Sequence, residues 1–252
     1  MESFAKLVTA LATFAAAVAW PAAFLASILT FRKEIRSSLV KLPTVIDRVK
    51  ALKLGAIEAE LERVADESAR QAKSDKGFVS RAEVAASARI KADADNVGIT
   101  NLLTQVDKLC IEYDTVRRVM PPSDRRTRAM TQVLVQMRTL GPSVSEHIEV
   151  YKSSGSAGSR LAAVAMMQMQ PERVDLEWLA RRFREEHPFI FYHAALALQN
   201  AANNGDPERL SAVKATAAGA LGVVRSFDGE PDASSIQVLE AILADRDSGH
   251  YV

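Results

Sequence analysis

Cysteine, aromatic residues and glycine are all scarce in this chain. Cys110 is the only cysteine among 252 residues, so the chain forms no internal disulfide, as is usual for a protein in a reducing compartment. Aromatic residues make up 6% of the chain, and few stretches alternate apolar and polar residues with the period of a β-strand. Apolar residues recur at helical spacing instead. We therefore predict an all-α protein.

Motifs that would identify a reaction are also absent. The chain has no nucleophile elbow, kinase signature, glycosidase pattern or dinucleotide fingerprint. His187 and His193 are six residues apart, so they do not share a helix face as the histidines of a zinc-binding H-E-x-x-H pair do. The glycine- and serine-rich run at 153–159 lacks the lysine of a phosphate-binding loop, and we interpret it as a flexible hinge. We predict no catalytic residues, cofactor or metal.

Neither sign of charge is in excess. The chain has 32 Lys and Arg residues against 31 Asp and Glu residues, a formal net charge of +1. A nucleic-acid-binding domain usually shows a basic stripe and a pI above about 9. Because this chain shows neither, we predict no nucleic-acid partner.

Charged side chains are missing altogether from residues 7–31. A helix of about 25 residues, rising 1.5 Å per residue, is long enough to cross a hydrocarbon core of roughly 30 Å. One alternative is a cleaved signal peptide with Ala17-Val18-Ala19 as its cleavage site, but the run continues well beyond that point and no net positive charge precedes it. A buried core helix is the other alternative. We favour a transmembrane helix.

Basic residues follow this run and predict its orientation. The first of them are Arg32, Lys33, Arg36 and Lys41, whereas Lys6 is the only base before the run. The positive-inside rule therefore predicts a short outer tail at 1–6 and a cytoplasmic C-terminal side. The predicted location is the inner membrane, with the lipid bilayer as a partner.

Small residues form a stripe within the predicted span. Alanines recur at three- and four-residue spacing, a pattern that lets two helix backbones approach closely: Ala12, Ala16, Ala19, Ala23 and Ala26. This stripe predicts helix association and a homo-oligomer. The alternative is that alanine is simply abundant in this chain.

Residues 32–76 are predicted to form a basic juxtamembrane segment and an amphipathic helical stalk. Leu54, Ile57, Leu61 and Val64 recur at helical spacing, which favours a helix packed on the body. Gly55 lies where the apolar pattern shifts phase, so we expect a break between two helices there. Residues 77–98 are polar and alanine-rich, and we predict a linker with a weak helix near 80–94.

The body at 99–252 is predicted to be a cytosolic helical domain. The first helix spans about 99–119, and a second begins after Ser123 and ends before Gly141-Pro142. Shorter helices joined by two to five residues follow, with helix pairs at about 160–227 like those of HEAT repeats. Cys110 and His193 lie among apolar residues and are predicted to be packed in the core.

Basic residues crowd the first turn of the second body helix. Arg125, Arg126 and Arg128 stand where the helix dipole disfavours positive charge, just after Arg117 and Arg118. One interpretation is a contact for an anion or an acidic partner, using the helix amides as well. The other is a solvated surface paired with nearby acids.

Two stretches resemble known bacterial proteins. Trp20-Pro21, Phe31-Arg32 and the run L-K-L-G-A-I-E-A-E-L at 52–61 resemble the anchor region of uncharacterised bacterial single-pass inner-membrane proteins, where one span precedes a basic stretch and a K-x-G-x-x-E-x-E element. Residues 160–202 resemble helical stretches of bacterial proteins. The resemblance implies a cytosolic HEAT-like interaction module and carries no active residues with it.

Two functions remain open from the sequence. The first is a membrane-tethered interaction, scaffold or sensor module that positions a cytosolic protein partner at the inner membrane. The second is an oligomerising membrane effector or assembly subunit that acts through its transmembrane helix.

Overall fold

The structure is all-helical, as predicted. A computed structural model describes residues 51–70, 77–204, 207–227 and 232–244, and these ranges contain no strand. The helices in chain order are α1 (51–70 of the described chain), α2 (Arg81–Val97), α3 (Ile99–Val119), α4 (Asp124–Val144), α5 (Ile148–Ser153), α6 (Ala157–Met169), α7 (Leu176–Glu185), α8 (Pro188–Ala202), α9 (Pro207–Arg225) and α10 (Ala233–Leu243). Short 3-10 turns at Ser145–His147 and Pro171–Arg173 complete the described chain.

The predicted membrane features lie outside the described residues. They comprise the span at 7–31 with its alanine stripe, and the basic flank that begins at Arg32. Among the residues that the structure does describe, no helix combines the length and the apolar character needed to cross a membrane.

Helix α1 packs on the body through one apolar face. Ile57 and Leu61 are buried in the main core, together with residues such as Leu102 of α3. The predicted break at Gly55 is wrong, because the helix runs through it without interruption. A single glycine in a helix costs only about 1 kcal/mol, which the buried face of α1 offsets.

Residues 77–98 are not a linker. They contain the 17-residue helix α2, which packs against α4 and belongs to the same compact unit, 53–252, as the body. Ser80 and Glu83 form a capping box at its start: the Ser80 amide donates to Glu83 Oε2 at 2.7 Å, and the Glu83 amide donates to Ser80 Oγ at 3.2 Å. The weak helix predicted near 80–94 is therefore a regular one, held by capping and by contacts distant in sequence.

A buried ion pair joins α2 to α4. Arg138 Nε lies 2.7 Å from Glu83 Oε1, and both side chains are at most 2% exposed. Arg138 Nη1 also donates to the Gly77 carbonyl at 2.7 Å and to Gln168 Oε1 at 3.4 Å. Burial holds the pKa of Arg138 below its usual value, while the charge of Glu83 opposes that shift. The pair therefore connects α2, α4 and α6 inside the core.

Helices α3 and α4 form the centre of the body. The predicted helix at 99–119 is confirmed, and Ser123 caps α4 by accepting from the Arg126 amide at 3.3 Å. The predicted end of α4 before Gly141 is wrong, because the helix continues through Pro142 to Val144. Gly141 lies against Met166 of α6, and burial of the last turn of α4 offsets the hydrogen bond that Pro142 cannot make.

The glycine- and serine-rich run is a packed helix start and not a hinge. Ser156 Oγ and the Gly158 amide donate to the two carboxylate oxygens of Asp114 at 2.6 and 2.9 Å. A Cβ at Gly158 would lie 2.2 Å from the Cys110 carbonyl oxygen. Glycine thus lets α6 approach the backbone of α3, a contact that local composition does not reveal.

The last helices begin as predicted. Asp175 caps α7 by accepting from the Trp178 amide at 3.0 Å, and Pro188 occupies the first position of α8. Helix α6 packs on α8 and α7 packs on α9, while α10 lies against both α8 and α9. This layer carries the side chains that line the cavity described below.

Replacing Gly158 with alanine tests the close approach of α3 and α6. The new Cβ would collide with the Cys110 backbone, so we expect Gly158→Ala to lower the free energy of unfolding by about 2–3 kcal/mol. Urea denaturation measures this change. Gly219→Ala is the matched control, because no atom lies within 4 Å of a Cβ on this α9 glycine. The control should raise stability by about 0.5–1 kcal/mol; equal effects of the two substitutions would contradict the packing.

Candidate functional site

A cavity of about 1320 Å³ opens between several helices of the body. The ends of α1 and α3, the first turns of α4 and the inner faces of α8 and α10 supply its walls. We call it the arginine groove after the four arginines that line it, namely Arg70, Arg117, Arg126 and Arg128.

The groove is elongated along α8. His187, just before that helix, and Gln199, near its end, both line it. Twelve residues at 1.5 Å per residue separate them by about 18 Å. The groove is therefore longer than a single ion or a single side chain requires.

Among the described residues that line the groove, positive charges outnumber negative ones. Asp124 and Asp232 are the acids among its lining residues, against four arginines. None of these arginines forms an ion pair with another residue in the described part of the chain. Arginine guanidinium groups stay charged at all physiological pH values, so the cavity suits an anionic ligand.

Two arginines and a histidine define the basic end of the groove: Arg117, Arg126 and His187. They come from the last turn of α3, the first turn of α4 and the residue before α8. Partial burial lowers the pKa of His187, and the charges of Arg117 and Arg126 lower it further against the opposing effect of Glu186. These effects on the pKa indicate that Arg117 and Arg126 lie close enough to His187 to disfavour a proton on its ring.

Arg126 is only partly satisfied at this end. Its Nη1 donates to the Met120 carbonyl at 3.3 Å, and its Nε is buried without a hydrogen-bond partner. The start of α8 adds to the positive potential, because His187 at the N-cap makes no side-chain capping bond. The basic end therefore combines guanidinium groups with an open helix N-terminus.

The middle of the groove is rigidly built. Gly77, with φ of +78°, lies so close to α8 that a Cβ there would be 3.1 Å from the Tyr192 ring. His193 is fully buried, and burial holds its pKa well below the usual value, so the ring is neutral. Gln168 Nε2 donates to the His193 carbonyl at 2.7 Å and connects it to Arg138. His193 is thus the packed histidine that the sequence predicts.

The structure separates the predicted arginine cluster. Arg126 and Arg128 line the groove, whereas Arg125 is exposed and does not. Arg117 and His187 join them, although sequence reasoning assigned neither to a site. The proline break at 121–122 was the available signal for Arg117, because it places the end of α3 beside the start of α4. No local pattern pointed to His187.

Cys110, the single cysteine of the chain, is buried in the core and does not line the groove. Within the described ranges, no group of three or more His, Cys, Asp or Glu side chains is placed to hold a metal ion. Burial raises the pKa of Cys110 to about 12, so its thiol stays protonated and unreactive in the core, as predicted.

Comparison with known proteins gives no relative. No protein-family model, curated protein or solved structure matches the chain.

Removing one cation should be detectable at His187. Because the charge of Arg117 lowers the pKa of His187, Arg117→Gln should raise that pKa toward its usual value. A pH titration of the His187 ring by NMR measures the change. Arg118→Gln, at the exposed neighbouring position, should leave the pKa unchanged. An unchanged pKa in Arg117→Gln would show that the two groups are not electrostatically coupled.

Proposed function

We propose that this chain is a membrane-tethered helical interaction module that holds a cytosolic protein partner at the inner membrane. The partner is bound through an acidic segment in the arginine groove. The observation that carries this proposal is the elongated groove, whose four arginines have no ion-pair partner in the described part of the chain. Complementary charge steers an acidic partner and selects against basic ones.

The tether rests on sequence. The charge-free run at 7–31 is long enough to span a bilayer, and the basic flank after it favours a cytoplasmic body. Under this proposal the groove faces the cytosol. A HEAT-like stack suits such a role, and the packing of α8 on α9, the second predicted pair, supports it. Helices α6 and α7, the first predicted pair, do not pack closely on each other.

A second candidate is an oligomerising effector that acts through its transmembrane helix. The alanine stripe that includes Ala19 and Ala23 favours it, because small residues allow close helix approach in lipid. The two candidates differ in the surface on which their function depends. The effector depends on the stripe, and the tether depends on the groove.

Charge reversal in the groove tests the tether. The full-length chain is cross-linked in intact cells, and the proteins recovered with it are quantified. Arg117→Glu combined with Arg126→Glu should remove most captured partners, because acidic segments are then repelled. The control combines Arg118→Glu with Arg125→Glu, which are exposed neighbours outside the groove, and should capture partners as the parent chain does.

The same measurement separates the two candidates. Ala19→Leu combined with Ala23→Leu should leave capture unchanged if the span only anchors the protein. Loss of capture in this variant, with full capture in the groove variant, would contradict the tether and favour the effector.

A further inference from the structure

The basic end of the groove suits a more specific ligand than an acidic segment in general. Arg117, Arg126 and His187 converge from α3, α4 and the start of α8. We propose that this end binds the phosphate monoester of a phosphorylated side chain, carried on an extended segment of the partner. This inference rests on the proposed function and names the chemistry of the partner at the same site.

The charge balance favours a dianion. Asp124 lines the groove near this end, but it forms no ion pair with the arginines within the described ranges. Glu186 acts on His187, but its carboxylate is already held by Arg160 and by Arg182, the latter at 3.0 Å. A partner carboxylate supplies one negative charge, whereas a phosphate monoester supplies about 1.5 to 2 at neutral pH. The dianion therefore compensates the cluster more fully.

The available donors also match a phosphate. Each guanidinium presents a planar fork that can bond two phosphate oxygens at once. Helix α8 is 15 residues long and begins without a side-chain cap. Pro188 has no amide hydrogen and the Ile190 amide donates to the His187 carbonyl, so the first turn offers the Phe189 amide as a donor, together with a favourable dipole. Arg126 Nε is buried and unpartnered, which shows that the protein itself leaves this guanidinium incompletely bonded.

The remainder of the groove favours a peptide over a free phosphate compound. About 18 Å of groove along α8 accommodates roughly five residues of extended chain at 3.3 Å each. Gln132, Gln199 and Gln237 line it, and their amides can bond a peptide backbone. Gln199 Oε1 is buried without a partner. Phe78 and Val238 add apolar surface for the peptide's side chains.

The test uses the purified full-length protein in detergent and fluorescent hexapeptide libraries, with fluorescence anisotropy as the readout. The libraries are degenerate except at one fixed central position, which holds phosphoserine, glutamate or serine. We expect the phosphoserine library to bind at least tenfold more tightly than the glutamate library. Arg126→Gln should weaken binding of the phosphoserine library at least tenfold, and Arg125→Gln should not change it.

The outcomes distinguish this inference from the proposed function. Equal binding of the phosphoserine and glutamate libraries would overturn the phosphate site and leave an acidic-partner groove standing. Binding of neither library would overturn both. Two competitors test whether the phosphate is carried on a peptide. Displacement of the peptides by an equal concentration of inorganic phosphate, or by phosphatidylglycerol vesicles, would overturn that part of the proposal.

Loss of folding is controlled independently. Thermal unfolding of Arg126→Gln should change only slightly, because the substitution removes one 3.3 Å hydrogen bond to the Met120 carbonyl at a half-buried helix start outside the core. His187→Gln is a second variant at the exposed position before α8. It should also weaken binding of the phosphoserine library at pH 6, and unchanged binding would count against a site formed by Arg117, Arg126 and His187.

Discussion

The buried ion pair between Glu83 and Arg138 is the contact on which the rest of the structure depends. Burying two charges costs several kcal/mol per ion, and only good geometry with further hydrogen bonds offsets that cost. Here Glu83 Oε2 accepts from the Ser80 amide, and Arg138 Nη1 donates to the Gly77 carbonyl and to Gln168. The contact between Arg138 Nε and Glu83 Oε1 is itself a close charge contact without hydrogen-bond geometry. A polar, alanine-rich segment with a small apolar face is thereby held to the core as α2.

The same contact shapes the groove. The Gly77 carbonyl that Arg138 binds belongs to the residue that touches Tyr192 and His193 in the groove wall. Gln168, which accepts from Arg138, also donates to the His193 carbonyl. The middle of the groove is therefore built before any ligand arrives, which lowers the entropy lost on binding. Its basic end is positioned separately, by the turn between α3 and α4.

Local patterns predicted much of the fold and little of the site. The helix starts at Ser123, Asp175 and Pro188 could be predicted, because capping and first-turn proline depend only on residues a few positions apart. The errors at Gly55, 77–98, Pro142 and 153–159 share one cause, since each depends on packing against distant segments. Residues 77–98 have the composition of a linker. The residue that pairs with Glu83 in the core, Arg138, lies 55 residues away in the sequence, so no local pattern reveals the contact. Arg126 and Arg128 were visible as a cluster, but only the fold brings Arg117 and His187 to them.

A double-mutant cycle on Glu83 and Arg138 tests this account most directly. The free energy of unfolding is measured for Glu83→Gln, Arg138→Met and the double variant, with the exposed pair Lys53–Asp93 as control. Each single substitution strands a buried polar partner and should cost about 3–5 kcal/mol, with the double variant costing clearly less than their sum. The control pair should show almost no coupling. Single substitutions that cost under about 1 kcal/mol, or costs that simply add, would contradict the central role of the pair.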